Sequence, residues 1–105
     1  MRALYEEYKI ILERKAEPLG EDKSYTKYLF KSGINKIVQK VGEEATEVII
    51  AAKDASAGGA SEPVIAETAD LLYHVLIMLA ELGIPLSDIE AELETRMGKI
   101  GNLRE

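Results

Sequence analysis

Apolar residues recur at helical spacing along most of this 105-residue chain, and no stretch alternates apolar and polar residues as a half-buried strand would. The clearest stripe lies in the middle of the chain and follows the i, i+3, i+4, i+7 rule. Its members are Ile34, Ile37, Val38, Val41, Ala45, Val48, Ile49 and Ala52. Such a stripe is one face of an amphipathic helix. The pattern predicts an all-α fold.

Helix-breaking and capping residues divide the pattern into five predicted helices. These helices cover residues 2–17, 24–31, 34–55, 62–82 and 87–97. Pro18 and Gly83 end the first and fourth of them, and Ser24 is a suitable N-cap for the second. Ser87 and Glu90 have the spacing of a capping box at the start of the last helix.

The fourth predicted helix is apolar on almost every side. Between Val64 and Ala80 its only charged residues are Glu67 and Asp70. A helix of this composition must be surrounded by other elements, and a chain of 105 residues has too few helices to surround it fully. We therefore expect one domain, residues 1–105, that forms a bundle of about four to five helices and is completed by homodimerisation.

Two pairs of carboxylates interrupt the apolar helices at matching spacing. Glu44 and Glu47 are three residues apart in the third helix, and Glu67 and Asp70 are three residues apart in the fourth. Residues at i and i+3 share a helix face, so two packed helices would bring four acids into one small volume. Acids so close together must be protonated, paired with cations or arranged around a hard metal ion. Oxygen ligands of this kind favour Mg²⁺, and the arrangement predicts a metal site.

Simpler explanations exist for each acid. Glu67 and Asp70 could form a buried ion pair with a lysine of the third helix, since buried charges are normally paired. The glutamates of the third helix could lie on an ordinary solvated face, and Lys40 with Glu44 has the i, i+4 spacing of a helix-stabilising pair. His74 follows Asp70 by four residues and could orient its carboxylate or be a satisfied core histidine.

Composition narrows the function classes. The net charge of −6 argues against general nucleic-acid binding, which needs a surplus of basic residues. The absence of cysteine excludes a disulfide framework and a thiolate metal site. The N-terminal residues lack the apolar core of a signal peptide, and no apolar run is long and charge-free enough to span a bilayer, so we expect a soluble, cytoplasmic protein.

The positive charge is concentrated in one segment. Residues 23–42 contain five lysines and no carboxylate. The lysines are Lys23, Lys27, Lys31, Lys36 and Lys40. A basic segment that leads directly into the first acid pair fits a polyphosphate ligand beside a cation, although a solvated lysine face would have the same composition.

The motifs together resemble those of the phosphoribosyl-ATP pyrophosphohydrolase family. The similar segments are Ser-Tyr-Thr at 24–26, the Lys-Val-Gly-Glu-Glu stretch at 40–48, Ala-Ala-Lys at 51–53 and Glu-Thr-Ala-Asp-Leu-Leu-Tyr-His at 67–74. The similarity covers nearly the whole chain. It implies an all-α dimeric bundle that hydrolyses phosphoribosyl-ATP to phosphoribosyl-AMP and pyrophosphate with Mg²⁺, in the second step of histidine biosynthesis.

The resemblance also implies roles for individual residues. The implied metal ligands are Glu44, Glu47, Glu67 and Asp70. Glu43 would bind the metal or position water, and Glu43 or Glu44 would help to deprotonate the attacking water. The implied substrate-binding residues are Ser24, Tyr25, Lys36, Lys40 and Lys53, with the lysines at phosphate.

Two other functions fit the same residues. One is a house-cleaning nucleotide pyrophosphatase that acts on free nucleoside triphosphates, and the other is a helical interaction module without catalysis. The Ser-Tyr-Thr segment and the Leu-Leu-Tyr-His run favour the histidine-pathway enzyme. An interaction module would show no stabilisation by Mg²⁺, whereas either enzyme would.

Overall fold

Five α-helices make up the part of the chain that the computed structural model describes, residues 2–17 and 24–97. In chain order they are α1 Arg2–Ala16, α2 Tyr25–Ser32, α3 Ile34–Ser56, α4 Glu62–Leu82 and α5 Leu86–Arg96. No strand occurs within the described ranges. The all-α prediction is confirmed, and no helix boundary differs from the predicted one by more than one residue, as is usual for helix ends.

Two predicted helix signals are found at their expected places. The Ser24 Oγ accepts a hydrogen bond from the backbone N–H of Lys27 at 3.4 Å and so caps α2. Gly83 ends α4 in the left-handed conformation with φ of 71°, which a residue without a Cβ adopts at low cost. The predicted break at Pro18 lies outside the described residues.

The predicted capping box at the start of α5 is wrong. The N-cap residue is Pro85, whose carbonyl oxygen accepts from the backbone N–H of Asp88 at 3.0 Å. Ser87 therefore lies inside the first turn, too late in the helix to cap it. Leu86 is buried as the first helical residue, and the burial of this side chain accounts for the earlier start.

The core lies where α1, α2 and α3 meet the C-terminal half of α4. α3 and α4 form a helical hairpin, α1 lies against α4, and α2 contacts α1, α3 and α4. The fully buried large side chains of the core are Ile11, Leu29, Ile37 and Ile77. Burial of each such side chain contributes about 1.5–3 kcal/mol. This packing holds α3 and α4 side by side and so aligns the acidic residues of the two helices.

The fourth helix contradicts the expectation that no segment is apolar and long enough to cross a membrane. By length and composition α4 meets that test, because an 18-residue apolar window of the helix holds no more than two charged residues. One such helix is weak evidence for a membrane, since core helices pass the same test. Only 28% of its most apolar window is buried. The buried residues all lie in the C-terminal half, and they are His74, Leu76, Ile77, Leu79 and Ala80.

Candidate functional site

Acidic side chains from α3 and α4 meet at the centre of the helical hairpin. Glu44 from α3 and Asp70 and His74 from α4 offer ligand atoms that all lie within 4.8 Å of one another. Asp70 and His74 are four residues apart and therefore share one face of α4. Glu44 is 9% exposed, whereas the Asp70 side chain is 48% exposed. We call these three residues the acidic cluster, which is reachable from solvent on the Asp70 side.

The other two predicted metal ligands lie outside the acidic cluster. Among the described residues, Glu47 and Glu67 do not belong to the group within 4.8 Å. Each is three residues from a member of the cluster, and each lies one turn nearer to the loop of residues 57–61 that joins α3 to α4. The structure thus brings two of the four predicted acids together and leaves the other two flanking them on the same side.

The ionised form of Glu44 is disfavoured in the acidic cluster. Burial raises the pKa of Glu44, and the negative charge of Asp70 and a hydrogen bond with its carboxyl group raise it further. The nearest cation is Lys40, whose Nζ lies 3.8 Å from Glu44 Oε1. His74 and then Lys40 lower the pKa of Glu44, but the pKa stays raised against these opposing effects.

Lys40 is bound more closely to the neighbouring glutamate. Its Nζ lies 3.1 Å from Glu43 Oε1, and Gln39 Nε2 donates to Glu43 Oε2 at 2.9 Å. The hydrogen bonds from Gln39 and then Lys40 lower the pKa of Glu43. The hydrogen bond with Glu43 raises the pKa of Lys40. Glu43 therefore stays ionised at the rim of the acidic cluster and faces Lys40 across the helix surface.

The remaining predicted phosphate-binding lysines differ in position. Lys36 lies one turn before Lys40 on α3, and its positive charge contributes to the lowered pKa of Glu43. Lys53 is exposed in the last turn of α3, about 13 Å along the helix axis from Glu44. Lys27 is buried and pairs with Glu17 at 3.3 Å, so this lysine of the basic segment serves the fold.

The first turn of α2 lies directly beside the acidic cluster. The Tyr25 hydroxyl is 2.8 Å from His74 Nε2, and the Tyr25 residue is 43% exposed. Burial raises the pKa of Tyr25, and the negative charges of Glu44 and Asp70 add to the rise against the opposing effect of Lys40. Ser24 precedes Tyr25 as the cap of α2. Tyr25 thus contacts a member of the acidic cluster, and Ser24 caps the helix that carries Tyr25.

His74 has a larger part in the site than its sequence position indicated. It is 3% exposed, and its Nδ1 lies 2.8 Å from the Asp70 backbone oxygen and 3.5 Å from Asp70 Oδ1. His74 is therefore both a satisfied core histidine and a residue that contacts Asp70, so neither of the two explanations given for it excludes the other. The contact with Tyr25 could not be inferred from spacing, since 49 positions separate the two residues.

A second contact between the same helices was also missed. The Thr26 hydroxyl and the Tyr73 hydroxyl form a short hydrogen bond. Tyr73 packs partly buried against the core. No sequence signal links these residues, because they come together only when α2 lies across α4.

Comparison with known proteins gives a consistent result. Residues 4–97 match the family described as phosphoribosyl-ATP pyrophosphohydrolase. The chain is 52% identical over 102 residues to a protein of Listeria monocytogenes serotype 4b (strain CLIP80459) named phosphoribosyl-ATP pyrophosphatase, covering 97% of this chain and 89% of that protein. Proteins of the same name from Clostridium novyi (strain NT) and Streptococcus thermophilus (strain ATCC BAA-491 / LMD-9) are 46% identical over 95 residues and 48% identical over 98 residues. The chain covers 81% and 88% of these two proteins, and the alignments span 90% and 93% of the chain.

Proposed function

The chain belongs to the phosphoribosyl-ATP pyrophosphohydrolase family, and from this premise we propose that it hydrolyses phosphoribosyl-ATP to phosphoribosyl-AMP and pyrophosphate. The reaction would be Mg²⁺-dependent and would form the second step of histidine biosynthesis. The observation that supports the proposal most strongly is the meeting of Glu44 and Asp70 beside Lys40. Facing carboxylates with an adjacent ammonium group suit a metal-bound polyphosphate.

The donor set of the acidic cluster fits Mg²⁺. Carboxylate oxygens are the hard ligands that this ion prefers, and a divalent cation would offset the mutual repulsion that raises the pKa of Glu44. We assign Glu44 and Asp70 as the central ligands, with Glu47 and Glu67 completing the set from one turn nearer to the interhelical loop. When bound, Mg²⁺ neutralises phosphate charge and polarises the anhydride for attack.

The side chains around the cluster supply the rest of the chemistry. The Lys40 ammonium group is placed to contact phosphate oxygens, and Lys36 adds positive charge one turn away. Glu43, held ionised by Gln39 and Lys40, can accept a hydrogen bond from the attacking water. Glu43 or Glu44, whichever is not fully engaged by the metal, would help to deprotonate that water. Lys53 would reach only the far end of an extended substrate.

The open face of the hairpin supports a homodimer. Ile49 on α3 is 62% exposed and Ile65 on α4 is 66% exposed, and Leu72 lies two turns after Ile65 on the same side of α4. Large apolar side chains exposed on both helices of the hairpin favour an interaction site, and a second copy presents the same side chains in return. A second copy packed on this face would cover the apolar side chains of α4, so a membrane is not needed to explain its composition. We propose a cytoplasmic location.

A comparison of substrates tests the proposed reaction. We expect the chain with Mg²⁺ to release pyrophosphate from phosphoribosyl-ATP with a much higher kcat/KM than from dUTP or dCTP. A preference for dUTP or dCTP would instead identify a house-cleaning pyrophosphatase. Nucleotide with Mg²⁺ should also raise the Tm, since ligand at 100 times its Kd stabilises by about 2.7 kcal/mol. Neither turnover nor a thermal shift would indicate an interaction module.

A further inference from the structure

Two adjacent residues at the start of α2 are joined to two adjacent residues of α4. Tyr25 contacts His74 and Thr26 contacts Tyr73, each through side-chain polar atoms. The Tyr25 and His74 rings also meet edge to face, with centroids 5.6 Å apart. The first turn of α2 is therefore fixed to the helix that carries Asp70, and the Tyr25 hydroxyl has a defined direction.

The hydrogen-bond partners of His74 determine the direction of each proton. Nδ1 lies 2.8 Å from the backbone carbonyl oxygen of Asp70, which can only accept, so Nδ1 carries the hydrogen. In the neutral imidazole, which carries one N–H, Nε2 then accepts. The partner of Nε2 at 2.8 Å is the Tyr25 hydroxyl, which therefore donates its only proton to His74.

We propose that His74 is a positioning residue that turns Tyr25 into a hydrogen-bond acceptor toward the candidate site, so that Tyr25 binds a sugar hydroxyl or amino group of the nucleotide and not a phosphate oxygen. This inference rests on the proposed function for the identity of the ligand. With its proton held by His74, the phenol oxygen presents only lone pairs, and ionised phosphate oxygens likewise only accept. The half-exposed Tyr25 would thus contact the nucleoside side of the substrate, while the phosphates face Lys40.

The same arrangement explains why His74 does not serve as a metal ligand. Nδ1 is engaged by Asp70 and Nε2 by Tyr25, so a metal ion could bind the imidazole only by displacing one of them. The metal is left to the carboxylates, and His74 orients Asp70 from behind.

Imidazole NMR tests the proton positions without any substrate or metal. The chain has a single histidine, so ¹⁵N-histidine labelling gives one unambiguous pair of ring nitrogens. At pH 8 we expect the spectrum of the Nδ1–H tautomer, with Nε2 unprotonated. In Tyr25→Phe the tautomer should persist while the Nε2 resonance shifts, because its donor is gone. An Nε2–H tautomer in the wild type would overturn the inference.

Kinetics of matched variants test the polarity of Tyr25. Tyr25→Phe should raise the KM for phosphoribosyl-ATP about twofold to tenfold, the effect of one hydrogen bond, with a smaller change in kcat. Inorganic pyrophosphate, whose outer oxygens are acceptors, should inhibit wild type and Tyr25→Phe equally. If Tyr25→Phe weakened pyrophosphate inhibition as much as nucleotide binding, Tyr25 would be a phosphate donor and the inference would be wrong.

Two substitutions of His74 separate its two contacts. His74→Gln places an amide oxygen near the position of Nε2 and can accept from Tyr25, whereas His74→Asn reaches only the position of Nδ1. We expect the KM of His74→Gln to be closer to wild type than that of His74→Asn, and the reverse order would contradict the proposal. If the wild type turned over no nucleotide, the proposed function would fail, and the imidazole spectrum would still decide the proton positions.

Discussion

The two halves of α4 have similar composition and opposite environments. In the C-terminal half, five residues between His74 and Ala80 are buried by α1, α2 and α3. In the N-terminal half, residues 62–72, no residue is buried, and Ile65 and Leu72 are exposed. Glu67 and Asp70, the acids of the candidate site on this helix, lie in the open half. The other helices therefore bury the part of α4 that stabilises the fold. The rest of α4 stays exposed, and we propose that it binds metal, substrate and a second subunit.

His74 lies at the border between these halves. It is buried like the residues that follow it, yet its ring nitrogens contact Asp70 and Tyr25 on the open side. The proposed site is thus built directly on the well-packed end of the helix, which restricts the motion of Asp70 although its side chain is half exposed. A rigid support for a catalytic group reduces the cost of organising it.

The sharpest test of the contrast compares one substitution in each half. Asp70→Asn should lower kcat/KM at least about a hundredfold, because metal binding supplies several kcal/mol of transition-state stabilisation. The free energy of unfolding without metal should be unchanged or higher, since Glu44 loses its charged neighbour. Ile77→Ala should instead lower the free energy of unfolding by about 2–5 kcal/mol. Urea titration and pyrophosphate release measure the two effects.

The comparison would fail if Asp70→Asn lost stability and kept activity while Ile77→Ala lost activity and kept stability. Ile77 is fully buried and is not a member of the acidic cluster, so its variant should keep the wild-type kcat in the fraction that remains folded. Full activity in Asp70→Asn would refute the assignment of the metal site. A large loss of stability in Asp70→Asn would indicate that Asp70 stabilises the fold.

Periodicity was sufficient to predict the helices, because each helix buries a face of its own at regular spacing. The predicted boundaries hold to within one residue, and the wrong capping prediction is at α5, where Leu86 is buried at the start and the Ser87 side chain is not used as a cap. The site was only partly predictable. Glu44 and Asp70 stood out as acids in apolar stripes, but which of four acids meet depends on side-chain directions that spacing does not specify.

The contacts of α2 were beyond sequence reasoning for a different reason. Tyr25 and His74 are ordinary core or surface residues when each is considered on its own helix. They become a pair only through the crossing of α2 over α4, which the packing of the whole bundle determines. Polar pairs between distant helices carry no local pattern, so they are the features that coordinates add.

A substitution on the open half tests the proposed dimer. Ile65→Lys should raise the dimer dissociation constant at least about a hundredfold, because the lost burial of about 1.5–3 kcal/mol occurs twice in a twofold dimer. Sedimentation equilibrium measures the constant. The matched control is Ile10→Lys on α1, where an isoleucine is 44% exposed outside the hairpin face. Equal effects of the two substitutions, or none from Ile65→Lys, would argue against dimerisation through α4.

The smallest expected effect concerns the pH dependence of stability without metal. Burial first and Asp70 second raise the pKa of Glu44 in the folded chain. Between the ordinary and the raised pKa the folded state keeps a proton that the unfolded state releases, so the free energy of unfolding falls as pH rises through this interval. Glu44→Gln should remove that fall, and Mg²⁺ should diminish it in the wild type by stabilising the ionised form.

Glu43→Gln is the control of opposite sign, because the pKa of Glu43 is lowered and its ionised form favours folding above the ordinary pKa. Urea titrations between pH 4 and pH 8 measure the free energy of unfolding against pH. Parallel curves for wild type and Glu44→Gln would contradict a concentration of negative charge by the acidic cluster in the open half of the hairpin.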